Sequence, residues 1–324
     1  MRIVFLTNQL GLRGTETTLW GYAHYYEEMY HDESFIVVRK DIFEQQHTPD
    51  IRNESIQWFQ NRFKERVVFL PTYDINDWLV RNKIDVCLVE CGGYPEDYVP
   101  TTIPTIVHSV FNATIPMGTI HTAISQYVAS RGHPKVKVLP NILYVENHLE
   151  NLRESLGIPK EARVFGRYGG YYQFDIPFVH ETILETAKEF PNIYFIFMNT
   201  APFGNLPNLL FFEGTPDLKI KRMFINTCDA MIHARSDGET FGCAIGEFAL
   251  CGKSILTSHF YDNAHLEILG SAAHLYFDKE GLKELFIKME FKEREHGYSG
   301  YLPEKVIPIL HSYVEDALDI WNCN

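Results

Sequence analysis

DAMIHARSDGETFGCAIGEFALCGKSILTS, residues 229–258, reads as strand, polar turn, helix and strand. Asp237, Gly238 and Glu239 make the turn. Thr240, Phe241 and Gly242 lead into a helix expected over 241–251 and ended by Gly252. A helix that starts this way presents backbone N–H groups and the positive end of its dipole, an arrangement that suits an anion. Glu239 and Glu247 lie in the turn and about two helical turns further on, some 9 Å apart along the axis at 1.5 Å per residue. They are too far apart for a close catalytic dyad, but they can flank an anion bound at the helix start. A turn glutamate and a solvated helix glutamate are the plain alternative. The apolar setting AIGEFAL weighs against it, because a glutamate there needs a partner or a ligand.

Outward from this segment, short β-branched or aromatic runs alternate with stretches of helical period, the pattern of βα units on parallel sheets. Before residue 140 the strands are expected at 2–7, 34–39, 66–70, 84–90, 104–109, 119–125 and 136–140; apolar residues at 19, 22, 23, 26 and 30 mark one helical face. A polar stretch around Glu146, Asn147 and Glu150, followed by Gly157 and Pro159, reads as a linker with a helix inside it. Alternation restarts with strands at 163–167, 192–198, 208–213, 229–234, 253–258 and 273–277 and helices at 176–190, 217–226, 241–251 and 279–295. Two such series imply two doubly wound α/β domains facing each other. The expected division is 1–143 with the closing amphipathic helix 306–324, and 144–305.

The chain has 324 residues, 45% hydrophobic and 22% charged, and a net charge of −13. That size and composition fit two packed cores, and the charge disfavours a general nucleic-acid binder, which needs a basic stripe. MRIVFLTNQLG reads as a buried strand, not a signal peptide. No apolar run approaches the roughly 20 residues of a membrane span, so only peripheral membrane contact remains open. The six cysteines form no CxxC pair and read as free thiols, mostly buried, of a reducing, cytoplasmic compartment. D-x-D, HExxH, G-x-G-x-x-G followed by an acidic residue, the G-x-x-x-x-G-K-[ST] loop and the G-x-S-x-G elbow are all missing. Metal, dinucleotide, phosphate-loop and hydrolase readings therefore find no motif.

SDGETFGCAIGEFALCG resembles the E-x7-E signature of retaining glycosyltransferases of family 4, which have the GT-B fold. TIHTAISQYVASRG with VKVLPN and ESLGIPKEARVFGRYGG resemble the family's end of the first domain and start of the second. The resemblance implies a nucleotide-diphosphate sugar, UDP- or GDP-linked, as co-substrate, with no metal or other cofactor, and a hydroxyl acceptor. By motif match, Glu239 contacts donor-sugar hydroxyls and Glu247 the ribose, while Gly238, Thr240, Phe241 and Gly242 lie along the diphosphate. Arg167 matches the arginine that neutralises the leaving group; a surface arginine is the alternative. His108, at the end of a strand, matches the family's cleft histidine, although a lone histidine is commonly structural. The resemblance also implies retention through a front-face displacement in which the departing phosphate takes the acceptor proton.

Two departures stand out. No lysine follows Arg167 in GRYGGYYQFDIP, which leaves Arg235, Gln173 or backbone donors to compensate charge. The first loop, with Gly11, Arg13, Gly14, Thr15 and Glu16, lacks the family's Gly-Gly pair; it is expected on the acceptor side, with a plain helix cap as the alternative reading. The departures also motivate a non-catalytic glycan- or protein-binding scaffold as a second function; a nucleotide-sugar epimerase on the same scaffold is a third.

Overall fold

The computed structural model describes residues 1–323 and divides into two compact units, Met1–Leu143 with the chain from Gly300 on, and Tyr144–Ser299. In the first unit the strands are β1 (Arg2–Thr7), β2 (Glu33–Arg39), β3 (Val67–Leu70), β4 (Val86–Cys91), β5 (Thr105–Ser109), β6 (Ile120–Ala123) and β7 (Lys137–Val138). They form one parallel sheet in the order β3-β2-β1-β4-β5-β6-β7. Its helices are α1 (Gly14–Tyr30), α2 (Lys40–Phe43), α3 (Asn53–Phe63), α4 (Ile75–Arg81) and α5 (Gln126–Ala129). Because helices cover both faces, the central strands are apolar without alternation: Val4, Leu6, Val37, Cys87, Val89 and Val107 pack with Ile75 and Leu79 of α4.

The second unit carries β8 (Arg163–Tyr168), β9 (Ile193–Met198), β10 (Leu209–Phe212), β11 (Ala230–Ile232), β12 (Gly238–Glu239), β13 (Ser254–Thr257), β14 (Asp262–Asn263) and β15 (Ala273–Leu275). Six of these make a parallel sheet, β10-β9-β8-β11-β13-β15, while β12 and β14 pair separately. The helices are α6 (Pro177–Glu189), α7 (Leu218–Thr227), α8 (Cys243–Leu250), α9 (Ala264–Leu269) and α10 (Lys279–Lys288). One face of the sheet is dominated by phenylalanines, with Phe165, Phe195, Phe197 and Phe286 fully buried.

The chain then returns to the first unit as α11 (Pro303–Asn322). Val306, Ile307, Leu310, Val314 and Ala317 form its buried stripe. The Tyr26 hydroxyl of α1 lies 2.7 Å from His311 Nδ1, and Tyr313 donates to the Val138 carbonyl at 3.0 Å.

Two expectations need correction. The helix expected over 279–295 stops at Lys288: the Arg163 guanidinium takes the Phe286 and Met289 carbonyls at 2.9 and 2.8 Å, and the chain beyond leaves the helix with Met289 and Phe291 packed on the core. The linker holds no helix. Residues 152–157 make only a turn, fixed by the Leu152 N–H donating to Thr227 Oγ1 and by Arg153 bonding to Asp229. None of the six cysteines is in a disulfide; Cys87, Cys91 and Cys228 are buried, Cys243 and Cys251 half-buried, and Cys323 is exposed.

Candidate functional site

Both sheets reverse strand order once. In the second unit the reversal falls between β8 and β11, and ligands of open α/β sheets bind beyond the strand ends at such a switch point. Tyr168 closes β8, and His233 follows β11 directly. The turn after His233 is braced by Asp175, which accepts from the Ser236 N–H and hydroxyl at 2.8 and 2.6 Å. Gly238 sits at φ +69°, and a Cβ there would lie 1.9 Å from the Asp262 carbonyl oxygen, so only glycine lets β12 pair with β14. Gly242, at φ +87°, is the N-cap of α8 and supplies no side-chain cap. Phe241 is buried against Tyr298, whose hydroxyl donates to the Phe241 carbonyl at 2.9 Å, and Thr240 is nearly buried. The helix therefore begins at Cys243, two residues later than expected.

Glu239 stands at the start of this helix approach with its side chain 23% exposed. Its Oε1 lies 3.2 Å from His233 Nε2 and its Oε2 3.4 Å from Arg235 NH1. Burial works to raise its pKa, but the hydrogen bond and charge of His233, and then the Arg235 charge, outweigh it and hold the carboxyl down at about 2. Arg235 also faces Asp237 at 3.8 Å, so the guanidinium stays beside the turn.

Glu247, on α8, is buried and paired. Tyr168 donates a short hydrogen bond to its Oε2, and Lys221 Nζ of α7 lies 3.1 Å from its Oε1. The Lys221 ammonium also sits 5.0 Å over the Tyr168 ring. Burial, and then the Glu247 charge, push the Tyr168 hydroxyl well above its ordinary pKa, so it remains a donor. A small hollow lined by Tyr144, Val145, Tyr168, Leu218, Lys221 and Glu247 opens beside this trio. Neither Tyr168 nor Lys221 was marked in the sequence; they stand on β8 and α7, remote along the chain from Glu247.

The remaining candidates lie differently from expectation. Arg167 is only 4% exposed, and its guanidinium turns back to Thr200 Oγ1 at 2.6 Å and the Gly170 carbonyl at 3.0 Å. It anchors the loop after β8 and is not the surface arginine of the alternative reading. Gln173 folds its side chain over Gly170 in that loop.

In the first unit, Arg13 Nε binds Asp50 Oδ2 at 2.8 Å, and Gly11 passes close to the Asp50 carbonyl, with the Leu12 N–H bonded to it at 2.9 Å. α1 starts at Gly14 with Arg13 as N-cap and no side-chain cap, so the Thr15 cap is not formed. His108 is fully buried. Tyr22 closes over it from α1 at 3.3 Å from Nε2, and Thr122 lies 3.1 Å from Nδ1. Burial lowers its pKa to about 4. With both ring nitrogens engaged and no surface exposed, His108 is an interior histidine of this unit, contrary to its expected place in a cleft. Nearby, Glu16 and Glu90 are buried carboxyls; both Glu90 oxygens and Glu16 Oε2 make no hydrogen bond.

Among the described residues no group of three or more His, Cys, Asp or Glu is placed to hold a metal ion, and no helix is long and apolar enough to cross a membrane.

No family model matches the chain, and no curated protein matches it in sequence. Solved structures do match in fold. Anabaena HepE in complex with UDP and glucose is similar at TM-score 0.70 and 13% identity, covering 97% of this chain and 99% of that one. A Rickettsia africae glycosyltransferase is similar at 0.65 and 10%, covering 98% of both chains. A Listeria monocytogenes protein, proposed to be a UDP-N-acetylglucosamine 2-epimerase, is similar at 0.60 and 11%, covering 98% of this chain and 97% of that one. Two parallel-sheet Rossmann-like units with this strand order define the chain as GT-B in fold.

Proposed function

We propose that the protein is a retaining glycosyltransferase that moves a sugar from a UDP- or GDP-linked donor to an acceptor hydroxyl on the cytoplasmic side, without a metal. The observation that carries this reading is Glu239: an ionised carboxylate held by His233 and Arg235 in a glycine-shaped turn, eight residues before a second glutamate secured by Tyr168 and Lys221. A carboxylate accepts hydrogen bonds from neighbouring hydroxyls. Glu239 is assigned to the donor sugar and Glu247, beside its hollow, to the ribose.

The diphosphate between them meets the backbone from Thr240 to Gly242, the N-terminus of α8 and the Arg235 guanidinium. Arg235 thus takes the role that Arg167, enclosed by its own loop, does not fill. In the transfer, the anomeric carbon–phosphate oxygen bond breaks as the acceptor oxygen attacks from the same face, and the acceptor proton passes to the departing phosphate. The chain contributes positioning and stabilisation of the leaving charge.

The test is incubation with UDP- and GDP-linked sugars and a panel of hydroxyl acceptors. Wild type is expected to release nucleoside diphosphate and a glycoside of unchanged anomeric configuration by NMR. Glu239→Ala is expected to abolish transfer with unchanged circular dichroism. The fold likeness to the Listeria protein favours an epimerase as the second reading; an epimerised nucleotide sugar as product would establish it, and failure to bind any donor would favour a binding scaffold.

A further inference from the structure

The loops after β8 and β11, the two strands that border the second unit's switch point, are tied together by one side chain. Asp175 accepts from the Ser236 N–H at 2.8 Å and from the Ser236 hydroxyl at 2.6 Å, and its own N–H donates to the Ala234 carbonyl at 3.2 Å. Asp175 is a fixed post. Phe174 before it is buried, with its ring 5.1 Å from that of Phe197, and Pro177 after it opens α6. The rest of the loop is secured as well: Arg167 holds the Gly170 carbonyl at 3.0 Å, Asn199 Nδ2 holds the Gly169 carbonyl at 2.8 Å, and the Ala201 N–H donates to the Tyr171 carbonyl at 2.9 Å.

Ser236 stands at the corner of the turn that carries Glu239. The Gly238 N–H closes that turn on the Arg235 carbonyl at 2.9 Å, which puts Ser236 and Asp237 at its two central positions. From the other side the Asp262 N–H donates to the Asp237 carbonyl at 2.8 Å, and the Tyr261 N–H reaches the Ser236 carbonyl at 3.4 Å. The corner is thus gripped by two loops, and just outside it the side chains of Arg235 and Glu239 meet at 3.4 Å. Asp175 and Ser236 are both exposed. An exposed polar pair adds little to global stability, so the effect of this clasp falls on the local geometry of the turn.

We infer that Asp175 and Ser236 are positioning residues for Glu239: their two hydrogen bonds fix the turn across the switch point, so that the carboxylate stays beside Arg235 and within reach of the donor-sugar hydroxyls. Both act through Glu239 and not by touching the substrate. The inference rests on the reading of Glu239 as the donor-sugar carboxylate for its consequence, but not for its geometry.

Asp175→Ala removes both hydrogen bonds. Asp175→Asn keeps them, because its amide accepts from the Ser236 N–H and donates to the Ser236 hydroxyl oxygen. The experiment reads three quantities in wild type, both variants and Glu239→Ala: amide exchange at Ser236, titration of the Glu239 carboxyl carbon by NMR, and calorimetric affinity for UDP-glucose and GDP-mannose. In wild type the Glu239 carboxyl, held at about 2, is expected to show no titration between about pH 6 and pH 4. In Asp175→Ala the Ser236 amide is expected to exchange at least about tenfold faster. Glu239 should then take up its proton within that range, as it slips from its partners, and the donor that binds should lose about tenfold in affinity. The urea midpoint should stay near that of wild type, and Asp175→Asn should restore all three quantities.

An unchanged Ser236 exchange rate or an unchanged Glu239 titration in Asp175→Ala overturns the positioning role. So does an Asp175→Asn variant that behaves as Asp175→Ala, or wild-type affinity in Asp175→Ala where Glu239→Ala has lost it. Exchange and titration are read without any donor, so they decide the clasp even where neither sugar nucleotide binds. Wild-type affinity in Glu239→Ala overturns the donor-site reading instead, which keeps the two failures distinct.

Discussion

Replacing Lys221 with Met tests how the second glutamate is held. The Lys221 and Glu247 side chains are 14% and 9% exposed and meet at 3.1 Å, where Coulomb attraction at an effective dielectric of 20 is about 5 kcal/mol before desolvation is subtracted. Removing one member of a buried pair typically costs ~3–5 kcal/mol. Here the Tyr168 hydroxyl still serves Glu247 Oε2, and water can reach the opened hollow, so about 2–4 kcal/mol is expected. Tyr168→Phe removes a hydrogen bond to a charged group, worth ~1.5–3 kcal/mol. Lys221→Met with Glu247→Gln should recover at least half of the single-variant loss, because no charge is then stranded.

The four tryptophans, Trp20, Trp58, Trp78 and Trp321, all lie in the first unit. Urea unfolding followed by far-ultraviolet circular dichroism therefore reports both units, while tryptophan fluorescence reports the first. The dichroism midpoint of the second unit should fall by about 1 M urea and the fluorescence midpoint should hold. A Lys221→Met variant within about 0.5 kcal/mol of wild type would refute the pair as the support of Glu247.

Other predictions concern both units. Burial, and then the charge of Glu16, raise the Glu90 pKa well above its ordinary value, so the native state binds the extra proton. That contribution is complete below pH 4.5 and is lost as pH rises through the folded value, by about 1.4 kcal/mol for each pH unit between the two. Glu90→Gln should therefore stabilise the protein at pH 7.5 and lose that advantage below pH 4.5 in urea titrations.

His108 has the opposite sign. Its folded pKa of about 4 lies below 6.5, so its contribution is complete above pH 6.5 and falls by about 3 kcal/mol as pH drops to 4. His108→Asn should flatten that part of the stability–pH curve. Gly238→Ala forces a Cβ into the Asp262 carbonyl and should unpair β12 from β14 and abolish donor binding by calorimetry. Gly270→Ala, at φ +54° with nothing within 4 Å, should lose only about 1–2 kcal/mol.

Much of this architecture was legible in the chain because buried parallel strands are apolar on both faces and short, which the runs at 2–7, 163–167 and 192–198 show plainly. The strand–turn–helix segment was legible too, since Gly238 and Gly242 mark backbone that other residues resist. Partners were not. Tyr168 and Lys221 reach Glu247 from β8 and α7 only once the sheet order is set, and no local pattern distinguishes Lys221 from its neighbour Arg222.

His108 was misplaced for a related reason: a strand end looks open in sequence, but β5 is flanked by β4 and β6 and closed over by Tyr22. Arg167 shows the same limit, because only the loop geometry reveals that Gly170 and Thr200 capture its guanidinium. The contact of His233 with Thr257 follows from the pairing of β11 with β13, a register that the sequence does not state.

Calorimetric titration of UDP- and GDP-linked sugars, alongside the free nucleoside diphosphates, into wild type and Glu239→Ala tests the central claim most directly. Wild type should bind one sugar nucleotide more tightly than its free diphosphate, and Glu239→Ala should lose at least about tenfold for the sugar nucleotide while keeping the diphosphate. No binding by any member, or equal affinity of both proteins for the sugar nucleotide, would contradict it.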